Sequence, residues 1–318
     1  MLSRRLIRIK VFKVLFGRII SGDRSLNIAE DELVGSCIKT ADLYSFLLSL
    51  TPALKKVALN KIDAGLKKFH PKPEESNPNM KFVNNIFINT IENDAAFNKY
   101  CERNGLTWGN YQDFVKEMYN NLITRDYYKE YMESDKTGLD EDLKFIIRFY
   151  EEEFEDNDVL QDLLEETSTF WMDDLNYVLN IILGTINSIA KNGIVSRPNA
   201  FLKKDDEVFA KQLLAKSLVN YDEYAAIVAK YIPNWEIDRL VTTDLVLIVM
   251  GITEAVNFES IPIKVTINEY VDISKYYSTS NSKVFVNGLL DKIIQQMIKE
   301  GTIKKSGRGL VGGMGETK

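Results

Sequence analysis

Arginines dominate the residues of this chain that could engage a ligand. Arg4, Arg5 and Arg8 stand near its start, with Lys10, Lys13 and Arg18 behind them, and no acidic residue precedes Asp23. On a helix, Arg4 and Arg8 continue the stripe of Phe12, Leu15 and Ile19 at i, i+3 and i, i+4 spacing. The apolar members of that stripe belong in a bundle, so the two arginines are expected to run past its edge, with Arg5 beside them. Guanidinium groups projecting from a helix end suit phosphate contacts and stacking on unpaired bases. A merely solubilising basic end accounts for the same residues. Lys10 and Lys13 fall on the opposite side and are expected in solvent. A second cluster is the turn Ser280, Asn281, Ser282 and Lys283, with Phe285 just inside the following helix. Backbone N–H groups at a helix start attract phosphate, Lys283 adds charge, and an exposed Phe285 would stack on a base. Ordinary capping and a core phenylalanine are the competing reading.

Catalytic signatures are missing by comparison. The chain has no Walker loop, no dinucleotide-type glycine fingerprint and no Gly-x-Ser-x-Gly elbow. Its single histidine, His70, sits beside a proline break with no nucleophile near it in sequence. Together with Cys37 and Cys101 it falls short of a zinc set. Neither an enzyme, a metal nor a cofactor is expected, and two cysteines without a disulfide framework suit a reducing cytoplasm.

These residues need elements to hold them, and the composition supplies a core. The chain has 318 residues, 45% of them hydrophobic and 27% charged, enough for two domains or for one small domain with a large insertion. The net charge of −6 argues against nucleic acid as a partner for the whole surface, which makes the basic start a local feature. Residues 133–174 are the counterpart, with 16 Asp or Glu against three basic residues. That stretch, including Glu151, Glu152, Glu153, Glu155 and Asp156, reads as a solvated face, a site for a basic protein, or a surface that repels RNA. The most apolar run, Leu245 to Ile252, is too short to span a bilayer and reads as a buried helix. No membrane segment or signal peptide is expected, and the cytoplasm is the expected location.

Helical periodicity runs almost throughout, so the expected fold class is all-α. After the basic helix, residues 24–70 read as two helices ending at the His70–Pro73 break. Residues 74–80 read as a polar loop, and several amphipathic helices follow to about 190, with turns at 104–110 and 136–139. Beyond a break at 192–199, residues 205–231 read as one long helix, 236–257 as a very apolar one, Ile261 and Pro262 as the start of a third, and 283–300 as the last. Residues 301–318, with Lys304, Lys305 and Arg308, read as a flexible tail that adds non-specific RNA affinity or is idle.

The final third carries a resemblance. Trp235-Glu-Ile-Asp-Arg-Leu240 opens a pattern that continues through Asp244 into I-P-I-K-V-T-I-N-E-Y-V-D-I-S-K-Y (261–276) and S-K-V-F-V-N-G-L-L-D-K-I (282–293). Two such runs in order, with the basic run S-R-R-L-I-R-I-K-V-F-K-V-L-F (3–16), resemble the NusB family of transcription antitermination factors, although Leu6 stands where the family commonly has arginine. The resemblance implies an all-α fold of NusB-like helical bundles, here with a large helical insertion. The organisation it suggests is a basic helix (1–24), the insertion (25–200), the carboxyl-terminal bundle (201–300) and the tail (301–318). It also implies pairing with NusE, the ribosomal protein that doubles as a transcription factor. The pair binds boxA-type RNA of nascent transcripts, above all ribosomal RNA, and helps the RNA polymerase antitermination complex read through terminators. On this footing Arg4, Arg5, Arg8, Asn281, Ser282, Lys283 and Phe285 are RNA-binding candidates. Asp238, Arg239 and Asp244 are candidates for facing NusE, while Asn287 and Gly288 are read as structural, allowing close helix packing or buried hydrogen bonding. The rival reading is a non-catalytic protein-binding scaffold in ribosome assembly or polymerase regulation, without direct RNA recognition.

Overall fold

The computed structural model describes residues 2–154, 157–171, 173–195, 203–232 and 241–310, the side chain of Arg308 excepted. Helix α1 (Arg4–Ser21) starts where the Ser3 hydroxyl accepts the Leu6 N–H at 3.2 Å. It stops at Gly22, whose φ of 74° is open to glycine at little cost and lets its N–H reach the Ile19 carbonyl. Then come α2 (Leu26–Leu48), α3 (Leu50–Leu66), α4 (Pro73–Ser76), α5 (Ile86–Asn93), α6 (Ala95–Arg103), α7 (Gln112–Leu122) and α8 (Asp126–Glu133). Helices α9 (Leu139–Glu152), α10 (Asp158–Thr167), α11 (Leu175–Asn192), α12 (Lys204–Val219), α13 (Tyr221–Lys230), α14 (Thr242–Asn257), α15 (Ile263–Tyr277) and α16 (Ser282–Lys299) complete the chain. Among the described residues there is no strand.

The chain forms two compact units, residues 38–200 and residues 2–37 together with 201–318. The division falls inside α2. The stretch Leu26–Leu66 is long and apolar enough to cross a membrane by length and composition, yet 72% of its most apolar window is buried, as in a core helix.

In the unit 38–200 the second half of α2 is wrapped by aromatic rings. Phe46 stacks on Trp108 at 4.1 Å and on Trp171 at 5.3 Å. The polar tips are all satisfied by α2 carbonyls: Trp108 Nε1 donates to Phe46 at 2.9 Å, Trp171 Nε1 to Lys39 at 2.7 Å and the Tyr150 hydroxyl to Leu47 at 3.1 Å. The acidic stretch is only partly a solvated face. Glu151 and Glu152 are exposed, but Glu153 is buried, held by Arg125 at 2.9 Å and by the Tyr127 hydroxyl at 3.0 Å. Glu155 and Asp156 lie outside the described residues.

In the other unit α14 is the central helix, buried from Val246 to Ala255, with α1, α12, α13, α15 and α16 packed on it. Close packing depends on Gly251: a Cβ there would come within 2.7 Å of Leu290 Cδ2 and 3.3 Å of Tyr270 Cδ2. Gly288, expected to be the close-packing glycine, faces open space, and Asn287 beside it is exposed. The long helix expected over 205–231 is two helices, α12 and α13. Asn220 breaks it at φ −95° and ψ 11°, its side-chain amide donating to the Lys216 carbonyl at 2.9 Å. The tail also departs from expectation. Ile303 is buried, the Ser306 N–H donates to the Glu259 carbonyl at 3.2 Å, and a turn closes over Gly307–Leu310. Residues 311–318 lie outside the described residues.

Candidate nucleic-acid interface

Positive charge in the first turn of a helix opposes the helix dipole, so arginines there need anionic neighbours. Two elements supply them. The first turn of α12 presents Asp206, which accepts from Arg4 Nε at 3.0 Å, and one turn on the Phe209 ring lies 4.9 Å beneath the Arg4 guanidinium. Helix α15 presents Glu269 and Asp272, which take Arg5 at 3.0 and 2.9 Å. Arg4 and Arg5 keep 43% and 52% of their side chains exposed, so both can still meet a ligand.

Arg8 is a different case, and it corrects the expectation that it projects past the bundle edge. Its side chain is 3% exposed and grips the fully buried carboxylate of Glu254 through Nε at 2.7 Å and Nη2 at 2.9 Å. Thr266 Oγ1 and the Tyr270 hydroxyl donate to the same carboxylate at 2.9 and 3.1 Å. Burial alone would depress the Arg8 guanidinium, but the charge and hydrogen bonds of Glu254 outweigh it and hold the group protonated. Tyr270 is pushed well up, by burial first and by Glu254 second, so its proton stays on the donating hydroxyl. Arg8 therefore ties α1 to α14 and α15. Its guanidinium also lies 5.3 Å from the Phe209 ring, so Arg4 and Arg8 share one aromatic platform. Lys10, expected in solvent, is buried, whereas Lys13 is exposed as expected, its ammonium 5.5 Å from the Tyr277 ring.

The second cluster divides in the same way. Asn281, the N-cap of α16, and Lys283 are exposed, Val284 is 70% exposed and Phe285 is half-buried. Ser282 is buried, its hydroxyl donating to Asp244 Oδ2 at 2.8 Å and accepting the Thr279 N–H at 3.2 Å. It closes the α15–α16 turn and is out of reach of RNA. Asp244, expected on the polar side of its helix as a partner contact, is buried in that bond, and among the described residues its Oδ1 has no hydrogen-bond partner. Asp238 and Arg239 lie outside the described residues.

One helix connects the two clusters. Arg5 holds Asp272, and the 1.5 Å rise per residue puts Tyr277, the last residue of α15, roughly 7–8 Å further along. Phe12 packs on Tyr277 at 5.5 Å, which fixes α1 against the end of α15. Half-exposed arginines on aromatic and acidic supports, followed by a turn with an exposed lysine and a half-buried phenylalanine, can bind phosphate and stack on bases. Among the described residues no group of His, Cys, Asp and Glu is arranged to hold a metal. Sequence reasoning missed Glu254, Thr266, Tyr270, Asp206 and Phe209. Glu254 carried the best signal, as a carboxylate inside the most apolar helix.

Fold and site together define an all-helical bundle protein with a basic first helix and a second helical unit set into its chain. The family model of the NusB family matches residues 184–295. The transcription antitermination protein NusB of Salinibacter ruber is 40% identical over 104 residues, 33% of this chain and 65% of that protein. Its counterpart in Chloroherpeton thalassium is 33% identical over 135 residues, 42% of this chain and 63% of that protein. The Natranaerobius thermophilus protein of the same name is 34% identical over 113 residues, 30% of this chain and 81% of that protein. The chain belongs to the NusB family. It spans just under two thirds of the length of the first two relatives, at 65% and 63%. No solved structure gives a significant match.

Proposed function

We propose that this protein is an RNA-binding transcription antitermination factor. It pairs with NusE in the cytoplasm and binds boxA-type RNA of nascent ribosomal transcripts, so that RNA polymerase reads through terminators. The observation that carries this reading is the placement of Arg4 and Arg5. Both are half-exposed at the start of α1, one on the Phe209 ring and the other on α15, in a chain whose relatives are named for antitermination. Arg4, Arg5, Asn281, Lys283 and Phe285 make the contacts; Arg8, Ser282 and Asp244 hold the surface in shape. No catalytic step is part of the proposal.

One observation favours the scaffold reading as the alternative. Arg4, Arg5 and Arg8 are all held by carboxylates, so an RNA phosphate competes with Asp206, Glu269 and Asp272 for at least two of them. The Arg5 pairs are part-exposed, where an ion pair is worth roughly 0–1 kcal/mol and a phosphate can match it, whereas Asp206 is 7% exposed and keeps its hold on Arg4 Nε. The test is RNA binding by the purified protein, alone and with its NusE, comparing a boxA-like strand with a scrambled one across a salt series. Preference for the boxA-like strand is expected, with a salt slope that falls by about 1.4 in an Arg4→Ala, Arg5→Ala variant, at about 0.7 per phosphate contact on single strands. Tight NusE binding without RNA preference would leave the scaffold.

A further inference from the structure

Residues 302–310 make contacts that a loose tail would not. They follow Gly301, whose φ of 74° turns the chain out of α16, and lie outside any helix as far as the turn at Gly307–Leu310. Ile303 points into the bundle at 6% exposure, Lys304 points out, and Lys305 points in again, its ammonium donating to the Phe258 carbonyl at 3.0 Å. Burial lowers the Lys305 value while the nearby charges of Glu254 and Glu259 oppose that fall. Backbone bonds Ser306 N–H to Glu259 O and Gly309 N–H to Ser306 O pin the rest at 3.2 and 2.9 Å. Gly309 passes so close to the Glu259 carbonyl that a Cβ there would collide with it. The segment is a strap fixed across the α14–α15 turn.

The place where it docks is next to the arginines. The Phe258 ring meets the Phe209 ring at 5.0 Å, and Phe209 is the ring beneath Arg4 and beside Arg8. Lys305 also feels the charge of Glu254, the carboxylate that anchors Arg8. We infer that the strap is a built part of the nucleic-acid face, and that it holds the outward Lys304 as a further contact to the RNA backbone beyond those made by Arg4 and Arg5. This rests on the RNA-binding reading above. The contact is to phosphate and carries no base preference, because a lysine ammonium is a point charge without the planar fork that reads bases.

The experiment measures binding of a boxA-like and a scrambled single-stranded RNA to the full chain over a salt series. Lys304→Ala is expected to weaken both strands alike and to cut the salt slope by about 0.7, which is about fivefold in affinity at 0.1 M salt. Lys304→Glu is expected to weaken binding further. Gly309→Val, which pushes the strap off Glu259, is expected to match Lys304→Ala while the thermal midpoint of the bundle changes little. A chain ended after Leu310 should bind as the full chain does, and one ended after Gly301 should lose at least as much as Lys304→Ala. An unchanged affinity and slope in Lys304→Ala, with Arg4→Ala still weakened, would overturn the strap's role and leave the RNA reading standing. Absence of RNA binding by the unaltered protein, with and without NusE, would remove both.

Discussion

Replacing Arg8 by methionine tests whether this arginine holds the bundle or touches RNA. The change keeps most of the side-chain volume and removes a charge that is 3% exposed and doubly bonded to a fully buried carboxylate. Breaking a buried pair from one side leaves an uncompensated charge and costs about 3–5 kcal/mol. Glu254 retains the Thr266 and Tyr270 hydroxyls, so the lower end, about 3 kcal/mol, is expected. Domain stabilities are about 5–15 kcal/mol, which makes this a large fraction of the total. With a urea dependence of about 1–3 kcal/mol/M, the midpoint should fall by roughly 1–3 M. The double variant Arg8→Met, Glu254→Leu removes both charges and should recover part of the loss, short of all of it because two hydroxyls lose their acceptor at about 1–3 kcal/mol. Hydrogen exchange of α1 and α14 peptides across a urea series is the suitable assay, because two of the three tryptophans, Trp108 and Trp171, belong to the other unit and mix its signal into the fluorescence. The reasoning fails if Arg8→Met costs less than about 1 kcal/mol and lowers RNA affinity as much as Arg4→Ala does. That outcome would put the guanidinium on the RNA.

Two further expectations concern packing and charge. Gly251→Ala should destabilise the bundle by about 1–3 kcal/mol, as the new methyl meets Leu290 and Tyr270. Gly288→Ala, facing open space in the same unit, should instead stabilise by about 0.5–1 kcal/mol, and thermal melts of the pair decide it. The Asp272 carboxyl is held below its ordinary 3.8, by the hydrogen bond from Lys275 first and by Arg5 after that. A depressed carboxylate contributes stability that is present above the ordinary value and lost as pH falls through the depressed one. Carboxyl NMR titration should show an upward move in Arg5→Ala and a larger one in Lys275→Ala, and the reverse order would refute the ranking of the two cations.

Local patterns made the helices and most of their ends legible. The Ser3 cap, the left-handed Gly22 and the Pro73 break act through their own backbone chemistry, which is local to those residues. Asn220 was missed because its effect is a choice between two local hydrogen-bonding modes, and the amphipathic pattern runs through the break undisturbed. Which arginine is buried was harder, because it depends on pairing across the chain. Arg4 and Arg8 occupy the same stripe at i, i+4, and within α1 they differ only in Arg8's closeness to the apolar residues; what decides the burial is that Glu254 lies opposite Arg8, 246 residues away and beyond the inserted unit. The text still held half of that answer. A glutamate one helical turn from Met250, in a helix buried on nearly every side, cannot remain charged without a cation. That cation must come from the apolar stripe of another helix, because only a stripe faces the core. In the basic first helix Arg8 meets that condition, being the arginine nearest the apolar residues Val11 and Phe12 on the stripe. Read from Glu254 outward, the arginine belongs to the core. From α1 alone the same arginine continues the exposed end of the stripe beside Arg4, because the helix does not show where its partner lies.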